Sequence, residues 1–198
     1  MNNLIFDFGK VLVDYDFELY FSHIVTEPER LKAFSKMLNQ KEVAEAMDLG
    51  EKTPDEIVAE LQLQHPEFAN ELQHFADHYP EIVLGEIPGM KDLLTRLKQK
   101  GYHLYGLSNW CNKVYETMKQ YDIFSLLDGF VVSSDVQMLK PYPEIYQCLF
   151  DKFNLNPAEC IFTDDKMENI VGSEKAGMKA ILFQNAEQLE RELKDLGI

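Results

Sequence analysis

Asp7 follows the apolar run Leu4-Ile5-Phe6, Ser108-Asn109 follows Gly106-Leu107, Lys140 comes after Val131-Val132, and Asp164-Asp165 follows Ile161-Phe162-Thr163. These residue types suit one chemistry. A carboxylate can attack phosphorus and form an acyl-phosphate, which splits a hydrolysis into two easier steps. Paired carboxylates favour a hard cation with oxygen ligands, and a lysine can offset the charge on phosphoryl oxygens. Taken singly, each residue has a plainer use: an Asp after a strand caps a helix or forms a turn, Ser108-Asn109 would cap the next helix, and a lone Lys is a solvated surface group. The plain readings give way when all four positions are strand ends, because open parallel sheets bind ligands there.

The elements that must position these groups are legible as periodicity. Leu4-Ile5-Phe6 and Val11-Leu12-Val13 flank the polar loop Asp7-Phe8-Gly9-Lys10, which suits a buried strand feeding a loop. From Phe17 to Leu84 the pattern is helical, with Thr53-Pro54-Asp55-Glu56 as a capping-box start, and no strand is expected there. Beyond the turn Gly85–Gly89, a helix at Met90–Lys100 ends at Gly101. Strand Tyr102–Leu107 follows, then strand Phe130–Ser133, helix Pro143–Phe153, strand Cys160–Thr163, helix Met167–Ala176, strand Lys179–Phe183 and helix Glu187–Leu196. Such alternation predicts an α/β fold, a Rossmann-like parallel sheet with helices on both faces. Residues 1–16 and 85–198 would form this core, and 17–84 a small α-helical cap inserted after the first strand. The turn Gly85–Gly89 and the segment Asp14–Asp16 are the expected hinges.

With 198 residues and 45% apolar residues, the chain suits one compact core. A formal charge of −15 excludes a surface that binds a phosphate backbone, which needs clustered Lys and Arg. No apolar stretch approaches the roughly 20 residues that span a bilayer, and Met1-Asn2-Asn3 leads into only a short apolar run, so a cytoplasmic protein is expected. Cys111, Cys148 and Cys160 form no C-x-x-C pair and read as ordinary thiols.

The whole chain resembles the haloacid dehalogenase-like superfamily, through Phe6-Asp7-Phe8-Gly9, Leu107-Ser108-Asn109, Lys140-Pro141 with Pro143-Glu144-Ile145-Tyr146, and Phe162-Thr163-Asp164-Asp165 with Asn169. The run Asp7-x-Gly9-x-Val11-x-Val13-Asp14-x-Asp16 also resembles the branch holding sugar-1-phosphate phosphatases and the phosphatase domain of epoxide hydrolases. The resemblance implies a phosphatase with Asp7 as nucleophile and an aspartyl-phosphate intermediate. It implies Mg2+ held by Asp7, the Gly9 carbonyl and Asp164, with Asp165 supporting the ion at one remove. Ser108 and the Asn109 backbone would hold phosphoryl oxygens, and Lys140 would neutralise nucleophile and phosphate. The partner would be a small phosphorylated metabolite, and a monomer or weak dimer is expected.

One position departs from the superfamily's commonest pattern: the second Asp, two residues after the nucleophile, is Gly9 here. Gly9 cannot donate a proton, so a comparatively acidic leaving group is expected, with a sugar 1-phosphate as first choice. Asp14, Asp16 or a lid residue taking over would weaken that preference. Asp14 and Asp16 read first as turn formers, then as acceptors for substrate hydroxyls. Trp110 either packs in the core or lines the pocket and stacks on a sugar face. His74 and His78, four apart on a helix with no evident acidic third ligand, read as solvated lid residues. Two other functions compete: a metal-independent 2-haloacid dehalogenase, and a non-catalytic phosphate-binding regulatory domain.

Overall fold

The computed structural model describes residues 2–198. Its elements run β1 (Asn3–Phe6), β2 (Val13–Tyr15), α1 (Phe17–Ser22), α2 (Pro28–Leu38), α3 (Lys41–Leu49), α4 (Pro54–Gln64), α5 (Ala69–Asp77), β3 (Val83–Glu86), α6 (Met90–Gln99), β4 (His103–Ser108), α7 (Val114–Met118) and β5 (Gly129–Val132). They continue with α8 (Ser133–Val136), α9 (Pro143–Phe153), β6 (Cys160–Asp164), α10 (Met167–Lys175), β7 (Lys179–Leu182) and α11 (Ala186–Asp195). The parallel sheet has the order β5-β4-β1-β6-β7, which places β1 at its centre.

Both faces of this sheet are covered, which is why its strands are apolar runs rather than alternations. Leu4 and Phe6 of β1 and Ile161 of β6 pack with Leu93, Leu94 and Leu97 of α6 and Leu189 and Leu193 of α11. Ile5, Leu107 and Phe162 point the other way, onto Ile145 and Leu149 of α9 and Ile170 of α10. The five helices α1 to α5 lie between β2 and β3, and Phe21, Phe34, Leu72 and Phe75 form their buried centre. The capping box at the start of α4 is formed as expected: Thr53 Oγ1 accepts from Glu56 N at 3.2 Å, and Glu56 Oε2 accepts from Thr53 N at 2.8 Å. No helix is long and apolar enough to cross a membrane among the described residues.

Two expectations need correction. Strand β3 begins at Val83, inside the stretch expected to hold no strand, and it pairs antiparallel with β2 in the register Val13↔Glu86, Asp14↔Gly85 and Tyr15↔Val83. The pairing is short and shifts register between Asp14 and Tyr15, so neither strand offers enough alternating residues to read. The two expected hinge segments are therefore the two sides of one ribbon. Lys140 is not at a strand end. Strand β5 stops at Val132, the turn of helix α8 follows, and Lys140 lies in the loop before α9.

Candidate active site

Asp7 stands one residue beyond the carboxyl end of β1. The registers Phe6↔Gly106 and Phe6↔Thr163 bring it level with Leu107 on one side and Asp164 on the other. Neighbouring strands lie about 4.8 Å apart, so topology alone sets Asp7 beside Asp164. The Asp7 N–H donates to Thr163 O at 2.9 Å, and its carboxylate accepts from Phe8 N at 2.7 Å. Asp165, the next residue after β6, completes a trio in which one carboxylate oxygen from each residue lies within 4.8 Å of the others.

Lys140 is inserted among these acids. Its side chain is 1% exposed, and its Nζ lies 2.9 Å from Asp7 Oδ1, 2.7 Å from Asp164 Oδ2 and 2.9 Å from Leu107 O. An ammonium has three donors, and these contacts use all three. Asp164, fully buried, also accepts from Asn169 Nδ2 at 3.0 Å on each oxygen and from Lys166 N at 2.8 Å. The Asn109 side chain clamps the Lys140 backbone at both ends: Oδ1 accepts from Lys140 N at 2.8 Å, and Nδ2 donates to Lys140 O at 3.0 Å. That explains how a residue in the loop before α9 reaches the strand ends.

The charges act on one another. Burial raises the Asp7 carboxyl, Lys140 opposes it and Asp164 adds to it, and the balance lies at about 6. Asp165 is raised, first by burial and then by Asp164. Burial alone would lower Lys140, but Asp164 and Asp7 outweigh it and hold the ammonium above its usual range. A trio of acids with one ammonium is a net negative pocket suited to a hard cation. Two oxygens on one Mg2+ at 2.0–2.1 Å lie no more than about 4.2 Å apart, so a trio of this size suits such an ion.

Above the acids lies a cavity of about 330 Å3. Its core side carries Asp7, Gly9, Ser108, Asn109, Lys140, Asp165, Lys166 and Asn169. Its other side comes from the helices between β2 and β3, with Leu38, Asn39, Met47, Asp48 and Phe75, and is completed by Tyr15, Phe17, Tyr79 and Trp110.

The sequence matches the family model for haloacid dehalogenase-like hydrolase over residues 4–183. The chain belongs to that family. The hydrolase is 30% identical over 115 residues to flavin mononucleotide hydrolase 1 of Arabidopsis thaliana, covering 57% of this chain and 46% of that one. It is 29% identical over 114 residues to glyceraldehyde 3-phosphate phosphatase of Pyrococcus furiosus, covering 56% and 47%. These matches span about half the length of the curated relatives. In three dimensions, a HAD family enzyme of Bacteroides thetaiotaomicron superposes with a TM-score of 0.77 over 98% of both chains, at 19% identity. That enzyme has also been solved with magnesium and with inorganic phosphate.

The structure brings every predicted site residue of the hydrolase to one place. Asp7, Gly9, Ser108, Asn109, Trp110, Lys140 and Asp165 line the cavity, and Asp164 lies directly beneath it. Trp110 is buried in the core and also lines the cavity. Asp16 caps α1 by accepting from Leu19 N at 2.8 Å, and Asp14 pairs with Lys10 at 2.6 Å. Neither lines the cavity. The rings of His74 and His78 stack at 4.3 Å, and Glu81 joins them through His78 Nδ1 at 2.8 Å and through the Tyr20 hydroxyl. The His78 side chain is 44% exposed, in keeping with a solvated residue, and both rings are held by this hydrogen-bonded network.

Sequence reasoning missed Asp48, Tyr15 and Tyr79 on the cavity wall, and the holding roles of the Asn109 and Asn169 side chains. Asn169 was within reach, since it belongs to the motif that carried Asp164. The wall residues were not, because they depend on how the inserted helices pack.

Proposed function

We propose that the protein is a Mg2+-dependent phosphatase of a small phosphorylated metabolite, working through an aspartyl-phosphate on Asp7. The observation that carries this reading is the trio Asp7, Asp164 and Asp165, the first two paired with buried Lys140, on the floor of a cavity of about 330 Å3. Asp7, the Gly9 carbonyl and Asp164 would hold the ion, with Asp165 acting on it through water. Bound there, Mg2+ supplies charge compensation for the phosphoryl oxygens. Asp7 attacks phosphorus, Ser108 and the Asn109 backbone hold phosphoryl oxygens, and Lys140 keeps the nucleophile ionised and the phosphate neutralised. Residues 17–84 act as a cap on a core made of 1–16 and 85–198, and exclude water during the chemistry.

Five aromatic rings on the wall with Asn39 and Asp48 among them suit a compact ring bearing hydroxyls, because sugar faces stack on aromatics while hydroxyls need acceptors. We keep a sugar 1-phosphate as the first substrate to test, in line with the sugar-1-phosphate branch that the opening motif resembles. Three free thiols support a reducing, cytoplasmic setting.

The test is release of phosphate from para-nitrophenyl phosphate with Mg2+ and with EDTA, followed by a panel of phosphorylated metabolites that includes glucose 1-phosphate and glucose 6-phosphate. Metal-dependent release supports the proposal. Halide release from 2-haloacids without metal would support the dehalogenase, and no turnover of either kind would leave a regulatory phosphate-binding domain.

A further inference from the structure

Gly9 leaves the reaction without a proton donor two residues after the nucleophile, and the structure leaves no room for a side chain at that position. A Cβ on Gly9 would meet Tyr15 Cε1 at 2.7 Å, well inside contact distance, so the Tyr15 ring occupies the space a side chain there would need. A proton for the leaving oxygen has to come from elsewhere on the cavity wall. Asp14 and Asp16 do not reach the wall. Lys140 has its three donors committed. The hydroxyls of Tyr15 and Tyr79 are pushed above the ordinary tyrosine value, by burial first and then by neighbouring negative charge, and are poor acids.

One carboxyl remains on the wall outside the metal-fitting trio, among the described residues: Asp48, in the last turn of α3. We infer that Asp48, on the inserted helices, is the catalytic acid and base of this reaction, taking the part that Gly9 cannot. The inference rests on the phosphatase reading above and assigns its missing proton.

Position supports it. Asp7 enters the cavity from the core, and Asp48 from the inserted helices. In-line displacement at phosphorus puts the leaving oxygen on the side remote from the nucleophile. The backbone of Asp48 is also pinned to the core. Ser133 Oγ donates to Asp48 O at 2.6 Å and accepts from Trp110 N at 2.9 Å, which ties the end of α3 to the loop that follows β4. Two residues on, Gly50 closes α3 with φ +67°, and a Cβ there would lie 2.5 Å from Ser134 O. The end of the helix is thus seated against α8 with no room for a side chain between them.

The surroundings of Asp48 suit proton exchange near neutrality. Burial raises its carboxyl most, Lys166 from the loop after β6 opposes this, Asp7 adds to it, Lys140 opposes and Glu45 on the same helix adds, for a value of about 7. Tyr15, Tyr79 and Cys111 also face its charge. An acid matched to the working pH is the most effective general acid.

The two steps balance. In the first, an Asp7 oxygen bonds to phosphorus, the bond from phosphorus to the leaving oxygen breaks, and the Asp48 carboxylic acid gives its proton to that oxygen. In the second, Asp48 carboxylate takes a proton from water as the water oxygen attacks phosphorus. The bond from phosphorus to Asp7 then breaks, leaving inorganic phosphate, free Asp7 carboxylate and reprotonated Asp48.

The test compares benzyl phosphate with para-nitrophenyl phosphate, two esters of similar shape whose leaving groups need a proton and do not, at saturating Mg2+. Asp48→Asn should lower kcat/KM for benzyl phosphate by about 10²–10⁴-fold and that for para-nitrophenyl phosphate by less than about tenfold. On the nitrophenyl ester the variant should also release one equivalent of nitrophenol in a burst before a slowed steady state, because water attack has lost its base. Asp48→Glu should recover part of the benzyl activity, and Asp48→Asn should keep the Tm and the Mg2+ midpoint of the wild type.

Equal losses on both esters, no loss on either, or a wild type that hydrolyses the nitrophenyl ester alone would each overturn the assignment to Asp48 and leave the phosphatase standing. A wild type inactive on both esters would overturn the phosphatase reading, and this inference with it.

Discussion

Replacing Lys140 by Met removes the cation at the centre of the site while roughly keeping the volume of its stem. Lys140 is buried and contacts Asp7, Asp164 and Leu107 O. Removing one member of a buried ion pair costs about 3–5 kcal/mol, because the partner is left charged and desolvated. Here two partners are left, with a third carboxylate within 4.8 Å. For a chain of this length, 1 kcal/mol moves Tm by about 2–4 °C, so the drop in EDTA should be about 6–20 °C. Mg2+ supplies two positive charges to the same oxygens, and the Tm gained on adding it should be larger in the variant than in the wild type. Turnover should not follow. The ammonium that faces the phosphoryl group is still missing, and losses of 100-fold or more are typical for such preorganised groups. Differential scanning fluorimetry across a Mg2+ titration, beside phosphate release, separates the two effects. A Tm within about 2 °C of wild type in EDTA would refute the charge argument, and recovery of turnover with Mg2+ would reduce Lys140 to a counter-ion.

Asp7→Asn should abolish turnover and leave the fold intact, since an amide is near-isosteric but cannot attack phosphorus; activity within about tenfold of wild type would exclude Asp7 as the nucleophile. Asp164→Ala should raise the Mg2+ concentration needed for half-maximal activity, since a hard cation depends on few charged ligands; an unchanged midpoint would remove Asp164 from the ligand set. Gly9→Ala should destabilise by about 1–3 kcal/mol, the usual cost of overpacking, because the new methyl meets the Tyr15 ring. Urea unfolding measures this directly, and a neutral result would mean that Tyr15 yields freely. For the same reason Gly9→Asp cannot simply reinstate an acid beside Asp7; that carboxyl needs Tyr15 reduced as well.

The core was legible because its strands are uninterrupted apolar runs and its helices carry strong stops. Helix α9 was placed at its observed bounds, and Gly101 takes the left-handed conformation expected after α6, with φ 90°. Asp7, Ser108 and Asp164 could be found because a parallel sheet delivers its strand ends to one place whatever the helices do. Lys140 was identified through its motif but wrongly set on a strand end, since the Asn109 clamp that delivers it pairs residues 31 apart. Asp48 was out of reach because its significance depends on how α3 seats against α8, which is a matter of tertiary packing.

The β2–β3 ribbon has a consequence for how such a protein can change. The chain leaves the core at Asp14 and returns at Gly85, and these two residues are cross-strand partners. The intervening segment is therefore a loop whose ends are already joined, and doubling a loop's length adds only about 0.6 kcal/mol of closure entropy. Closure entropy therefore places little limit on how much chain is threaded through that pair. Insertions, deletions or a transplanted helical segment between Asp14 and Gly85 can redraw the side of the cavity that this segment lines, while the register of β1, β4 and β6, and with it the placing of Asp7, Asp164 and Asp165, stays where it is.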